Sequence, residues 1–165
     1  MDHLEEGIIA PDFQLHTPAG APLKLSEAIL SGPIALAFYK SSCPTSQFTF
    51  PFIQNIFSGL TASKNPRIWG ISQDDAEETI RFIDENSIEF PIAIDEHPYR
   101  VSSSYEIRFV PTLYLIDHEL RIRMADFGFS KTALNTISKE LADSLGCRTP
   151  SVFSDFDGLP ERRPG

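Results

Sequence analysis

Hydrophobic positions follow two rhythms along this chain. The unbroken apolar run from Ile34 to Tyr39 follows Gly32-Pro33 and predicts a strand buried on both faces. Polar Lys40-Ser41-Ser42 ends that run. Beyond Cys43-Pro44, Phe48, Phe52, Ile56 and Leu60 return at helical spacing. Proline is favoured at a first helical position, where its missing N–H is no loss. The pattern predicts a strand, a tight turn, and a helix with Cys43 at its N-terminus.

The same reading extends both ways. Phe13 and Leu15 alternate with polar neighbours before the turn cluster Thr17-Pro18-Ala19-Gly20. Leu23-Lys24-Leu25 returns as a short strand, and Ser26 is expected to cap the helical turn that follows. Downstream, Ser63-Lys64-Asn65-Pro66 breaks the chain before a strand at residues 67–72. Asp75 and Glu78 have capping-box spacing and open a helix with Ile80, Phe82 and Ile83 inward, ending near Asn86. A strand at residues 90–95, a short helix at 99–105, and a hairpin turning at His118-Glu119 come next. Ser130 caps a last helix with Leu134, Ile137, Leu141 and Leu145 inward, and Gly146 stops it. Strand–helix alternation followed by a hairpin and a helix predicts an α/β sandwich around a mixed sheet. Residues 1–147 are read as the domain. Residues 148–165 carry Pro150, Pro160 and Pro164 and read as a non-regular tail, expected to be disordered, with Val152, Phe153 and Phe156 as the residues available to dock.

Composition narrows the function classes. A chain of 165 residues suits one domain with a sizeable core. A net charge of −9 argues against binding to nucleic acid or an anionic membrane, which both call for basic surface. No apolar run approaches the roughly 20 residues of a membrane span. The acidic start Met1-Asp2-His3-Leu4-Glu5-Glu6 lacks the apolar stretch of a secretory signal, so the expected location is the cytoplasm. His3, His16, His97 and His118 are scattered, and no metal site or cofactor is expected. Cys43 and Cys147 are too few for a disulfide framework. Cys43 is therefore the residue with chemistry. Unpaired N–H groups and the backbone dipole at a helix N-terminus favour a thiolate, the form that attacks disulfides and peroxides.

The segment from Gly32 through Cys43-Pro44 resembles the active-site segment of the thioredoxin-like redoxins. That group includes the alkyl hydroperoxide reductase / thiol-specific antioxidant proteins and the TlpA-like thiol-disulfide oxidoreductases. Ala10-Pro11-Asp12-Phe13, a glycine turn and Leu25-Ser26 resemble its N-terminal region. The resemblance covers about residues 7–145. It implies a thioredoxin-like fold, a mixed sheet flanked by helices, with an N-terminal extension and a central helix–strand insertion. The family usually has Cys-Pro-x-Cys where this chain has Cys43-Pro44-Thr45-Ser46.

The resemblance also assigns candidate roles. Cys43 is the attacking thiol. Ser46 takes the second cysteine's place, able to hydrogen-bond a thiolate but not to resolve a mixed disulfide. Val110-Pro111 resembles the cis-proline motif beside the active cysteine. Val110 would offer backbone groups to an extended substrate, with Pro44 also at the substrate. Asp74 matches in position an acidic residue of the TlpA-like group and is a candidate proton shuttle; a solvated loop aspartate is the alternative. Lys40 is a candidate for favouring the thiolate by its charge, or a solvent-facing lysine. Cys147 matches no motif of the family and is either a bystander or, if its segment folds back, a displaced resolving thiol. These features imply a monothiol thiol-disulfide oxidoreductase acting on protein or small-molecule thiols and disulfides, with glutathione or thioredoxin as external reductant. A one-cysteine peroxidase and a redoxin-fold binding or sensor module are the alternatives. The peroxidase pattern is missing several groups: Lys40 stands where a Thr or Ser is usual, Leu36 where a proline is, and Pro111 where an arginine is, with Arg108 offset. Reductant, client and oligomeric state stay open.

Overall fold

Strand β3 (Ile34–Tyr39) runs through the middle of a seven-stranded mixed sheet, and every one of its residues is buried. A computed structural model describes residues 3–61 and 64–165; Ser63 of the breaker and Met1-Asp2 of the acidic start lie outside them. Before β3 come the antiparallel pair β1 (Gln14–His16) and β2 (Pro22–Lys24), then the short helix α1 (Leu25–Ala28). After it come α2 (Pro44–Gly59), β4 (Ile68–Ser72), α3 (Ala76–Glu85), β5 (Ile92–Ile94) and α4 (Arg100–Ser104). The chain continues through β6 (Thr112–Ile116), β7 (Ile122–Phe127), β8 (Phe129–Ser130), α5 (Lys131–Leu145) and β9 (Arg162–Arg163). Sheet order is β2-β1-β5-β4-β3-β6-β7. β3–β4 and β4–β5 are parallel; β3–β6 and β6–β7 are antiparallel.

The period of two along β3 feeds two cores. Ala35, Ala37 and Tyr39 face a cluster with Phe50, Ile53, Phe82, Leu134 and Leu141, whereas Ile34, Leu36 and Phe38 face Phe13, Trp69, Val101 and Tyr105. Helices therefore cover one face, and the N-terminal extension with α4 covers the other. This is the mixed, helix-flanked sheet that the pattern predicts.

Local signals held unevenly. Asp75 and Ser130 cap α3 and α5, accepting from the Glu78 and Ala133 N–H groups at 2.9 and 3.1 Å. Gly146 ends α5 in the left-handed region at φ 64°. Ser26 is not a cap: it lies inside α1, and its N–H donates to Asp12 Oδ1 at 2.9 Å, so Asp12 serves that helix start from a distance. Phe82 is buried and Ile83 packs partly buried against the helix-side core as expected, but Ile80 is 47% exposed and Thr79 takes the buried position beside it.

The tail departs most from expectation. Residues 148–165 pack along α2, α5 and the end of β7 instead of lying free. Val152 and Phe153 join the helix-side core, and Phe153 meets Phe52 and Phe129. Phe156 is 98% exposed. β9 pairs antiparallel with β8, Phe129 opposite Arg163. Docking explains the helical stripe read from sequence. Phe48 and Phe52 lie on the face of α2 that meets Phe129, with Phe153 against Phe52, while Phe50, Ile53 and Ile56 fill the main core.

Candidate functional site

Sheet register builds the site before any side chain does. Phe38 pairs with Thr112, so Val110-Pro111 lies beside the residues that follow Tyr39. The Val110–Pro111 peptide is cis. Thr112 Oγ1 donates to the Phe109 carbonyl at 2.7 Å, and Pro111 O accepts from the Gly128 N–H at 2.7 Å, fixing this turn from both ends.

On the other side, the residues from Lys40 to Cys43 form a tight turn. The Cys43 N–H donates to the Lys40 carbonyl at 3.1 Å, and the Cys43 carbonyl accepts from the Gln47 N–H at 3.1 Å, the first bond of α2. Cys43 is the N-cap of that helix, in extended geometry, with Pro44 at the first helical position. Cys43 is partly exposed, and its thiol donates to the Val110 carbonyl at 3.2 Å. Cys43, Pro44, Val110 and Pro111 are thus together at the carboxyl end of β3.

Two residues hold the turn by its middle. The Ser41 N–H donates to Asp74 Oδ2 at 2.7 Å, and Gln47 Nε2 donates to the Ser41 carbonyl at 2.8 Å. The Asp74 N–H in turn rests on Ser72 Oγ at 3.1 Å. Asp74 therefore adjoins the cysteine turn through its backbone. Lys40 is exposed. Beneath them Tyr39 is fully buried. Burial drives its phenol well above the ordinary tyrosine range; the neighbouring Ser72 hydroxyl opposes this, and the Asp74 charge adds to it.

Ser46 does not lie in the open site. It is fully buried, and among the described residues its hydroxyl has no hydrogen-bond partner, Cys43 included. A cysteine in that position would leave no such group unpaired. Cys147 is elsewhere. It follows α5, and the segment just after it packs at the far end of α2: a Cβ on Gly59 would fall 2.6 Å from the Pro150 ring. Cys43 caps the near end of that 16-residue helix, about 24 Å away along its axis. Disulfide partners need Cα atoms within about 7 Å. The segment after Cys147 is thus held at the end of α2 opposite Cys43. Both thiols are free.

Gln47 and Thr45 were not picked out from the sequence. Gln47 shows only as the residue that closes the first turn after Cys43, which is a usable signal. Thr45, whose hydroxyl donates to the Pro164 carbonyl at 2.6 Å, had no local signal, since its partner lies far off in the tail.

Among the described residues no cluster of three or more metal-ligating side chains occurs, and no helix is long and apolar enough to cross a membrane. A family model described as the AhpC/TSA family matches residues 7–125. A protein of Helicobacter pylori named as a candidate peroxiredoxin, bcp, is 32% identical over 97 residues, covering 58% of this chain and 62% of that protein. The thiol-disulfide oxidoreductase ResA of Halalkalibacterium halodurans is 29% identical over 109 residues, 66% of this chain and 60% of that one. These matches thus span less than two thirds of either relative. Among solved structures, the thioredoxin domain of a thiol-disulfide oxidoreductase from Bacteroides vulgatus superposes with a TM-score of 0.72 at 21% identity, covering 82% of this chain and 97% of that one. Peroxidoxin BcpB from Mycobacterium tuberculosis superposes with a TM-score of 0.67 at 19% identity, covering 87% and 97%. At these identities the structural likeness establishes the thioredoxin-like fold.

Proposed function

Since this chain belongs to the AhpC/TSA family, we propose that it is a thiol redox protein whose single working sulfur is Cys43. The Cys43 thiolate attacks one sulfur of a disulfide; a new S–S bond forms to Cys43 and the other sulfur leaves as a thiolate. An external thiol such as glutathione then attacks the mixed disulfide and frees Cys43. The observation that carries this reading is the Cys43 thiol at the N-cap of α2, 3.2 Å from the Val110 carbonyl, with Ser46 one helical turn on in place of a second thiol. Asp74 and Gln47 act by holding the Ser41 turn, and Asp74 is the candidate group for carrying a proton at this edge.

Glutathione-coupled reduction of a small mixed disulfide tests the reading. Wild type and Cys147→Ser should turn over alike, and Cys43→Ser should be inactive. Equal activity of Cys43→Ser and wild type would overturn it.

The likeness to the Helicobacter pylori protein supports a second reading, peroxide reduction at the same sulfur. There the thiolate takes one peroxide oxygen to become sulfenic acid and the other leaves as alcohol or water. Leu36 and Pro111 carry no side-chain donor for that leaving oxygen, and Lys40 is exposed in place of the usual hydroxyl, so peroxide reduction is the slower of the two activities.

A further inference from the structure

The final stretch of the sequence ends against the very edge at which Val110 meets Cys43. A Cβ on Gly165 would collide with the Val110 carbonyl oxygen, so only a residue without a side chain fits there. Pro164 offers its carbonyl to Thr45 Oγ1 at 2.6 Å, in the first turn of α2. The Arg163 guanidinium lies 5.0 Å over the Phe48 ring, also on α2. Arg162 pairs bidentately with Asp126 at 2.7 and 2.9 Å. The Lys131 N–H donates to the Glu161 carbonyl at 3.0 Å, and β9 runs antiparallel to β8. Gly128, at φ 72°, completes the fit, for a Cβ there would strike the Arg163 carbonyl. Of these contacts, those to Thr45 and Phe48 of α2, to Val110 and to the end of β7 link the strap to residues that flank the site.

We propose that residues 161–165 are an intramolecular strap that occupies the backbone-docking edge at Val110 and so selects substrates by size. This rests on Cys43 being the attacking thiol. Cys43 is partly exposed and stays reachable by small disulfides and hydroperoxides. An extended polypeptide disulfide has to lay its backbone where Gly165 and Pro164 already lie, so it reacts only from the fraction of molecules whose strap has lifted. The strap has little holding it besides side chains: β9 is two residues long, and its Arg162 side chain is 55% exposed, so its ion pair with Asp126 is open to screening by salt.

The test uses the full chain and two reagents of one chemistry, the 2-thiopyridyl disulfides of cysteamine and of an extended decapeptide. Each transfers its thiol to Cys43 and releases thiopyridone, which is followed by absorbance. Any exposed thiolate reacts with such reagents, so the outcome does not depend on catalytic turnover. The proteins, all carrying Cys147→Ser, are the parent, Arg162→Ala, which removes the ion pair, and Gly165→Val, which forces the strap off Val110. The peptide reagent should react with the parent about tenfold more slowly than the cysteamine reagent. Both variants should raise the peptide rate about tenfold and leave the cysteamine rate within about twofold. A peptide-to-cysteamine ratio that is the same in all three proteins would overturn the strap. Glutathione-coupled turnover, measured separately, decides the proposed function itself.

Discussion

The Cys43 thiol and the Val110 carbonyl oxygen stand 3.2 Å apart, joined across 67 residues of sequence by the pairing of β3 with β6. This contact places the sulfur at the start of α2 and at the exposed backbone of the Val110-Pro111 turn together. The thiol stands at the positive end of the α2 dipole, whereas Cys147 follows a helix C-terminus, where the dipole is reversed. Iodoacetamide at neutral pH should alkylate Cys43 about tenfold faster than Cys147, read by peptide mass spectrometry. Equal rates would make Cys43 an ordinary structural cysteine.

Ser46 carries a buried hydroxyl with no partner among the described residues, which costs about 1–3 kcal/mol relative to a satisfied group. Ser46→Ala should therefore stabilise the protein by about 1 kcal/mol and raise its melting temperature by roughly 2–4 °C. Ser46→Cys should keep the fold and, on oxidation, form a disulfide with Cys43. Scanning calorimetry and thiol counting read the two outcomes. A destabilised Ser46→Ala would mean that the hydroxyl has a partner after all.

Asp117 organises the β6–β7 turn. Its Oδ1 accepts from the Glu119 and Arg121 N–H groups at 2.9 and 3.0 Å, and Arg123 Nε lies 2.8 Å from its other oxygen. Burial alone would raise its pKa; those N–H donors and the Arg123 charge outweigh it and hold the carboxyl below its ordinary range. A folded-state pKa lowered in this way adds stability that is full above the unfolded value of about 3.9 and is lost as pH falls through the folded value. Asp117→Asn should cost about 1–2 kcal/mol in urea unfolding at pH 7 and little once the acid limit is reached. An equal loss at both pH values would contradict the assignment.

Sequence pattern was a good guide wherever the deciding contacts are local. The apolar run at 34–39, the Asp75 and Ser130 caps and the Gly146 stop all act within a few residues of where they are written. The cysteine turn belongs to this class, because strand end, cysteine and proline are consecutive. The tail was not legible, because what orders it is distant. Arg162 finds Asp126, Pro164 finds Thr45 and Phe153 finds Phe52, and no residue near any of them announces its partner. The stripe at Phe48 and Phe52 was the available clue. It reads as a core face, and it is one, but the tail supplies part of the cover. The hairpin turn likewise lacks the glycine that its geometry invites, since Leu120 takes the left-handed position at φ 62° with Asp117 bracing it.

The working account is a one-sulfur exchange at Cys43 whose escape depends on an external thiol, and intact-mass spectrometry after brief exposure to glutathione disulfide tests it most directly. Wild type and Cys147→Ser should both accumulate a single glutathione adduct, mapped to Cys43, that reduced glutathione removes. A Cys43–Cys147 disulfide forming rapidly within wild-type monomers, with the adduct persisting only in Cys147→Ser, would contradict it.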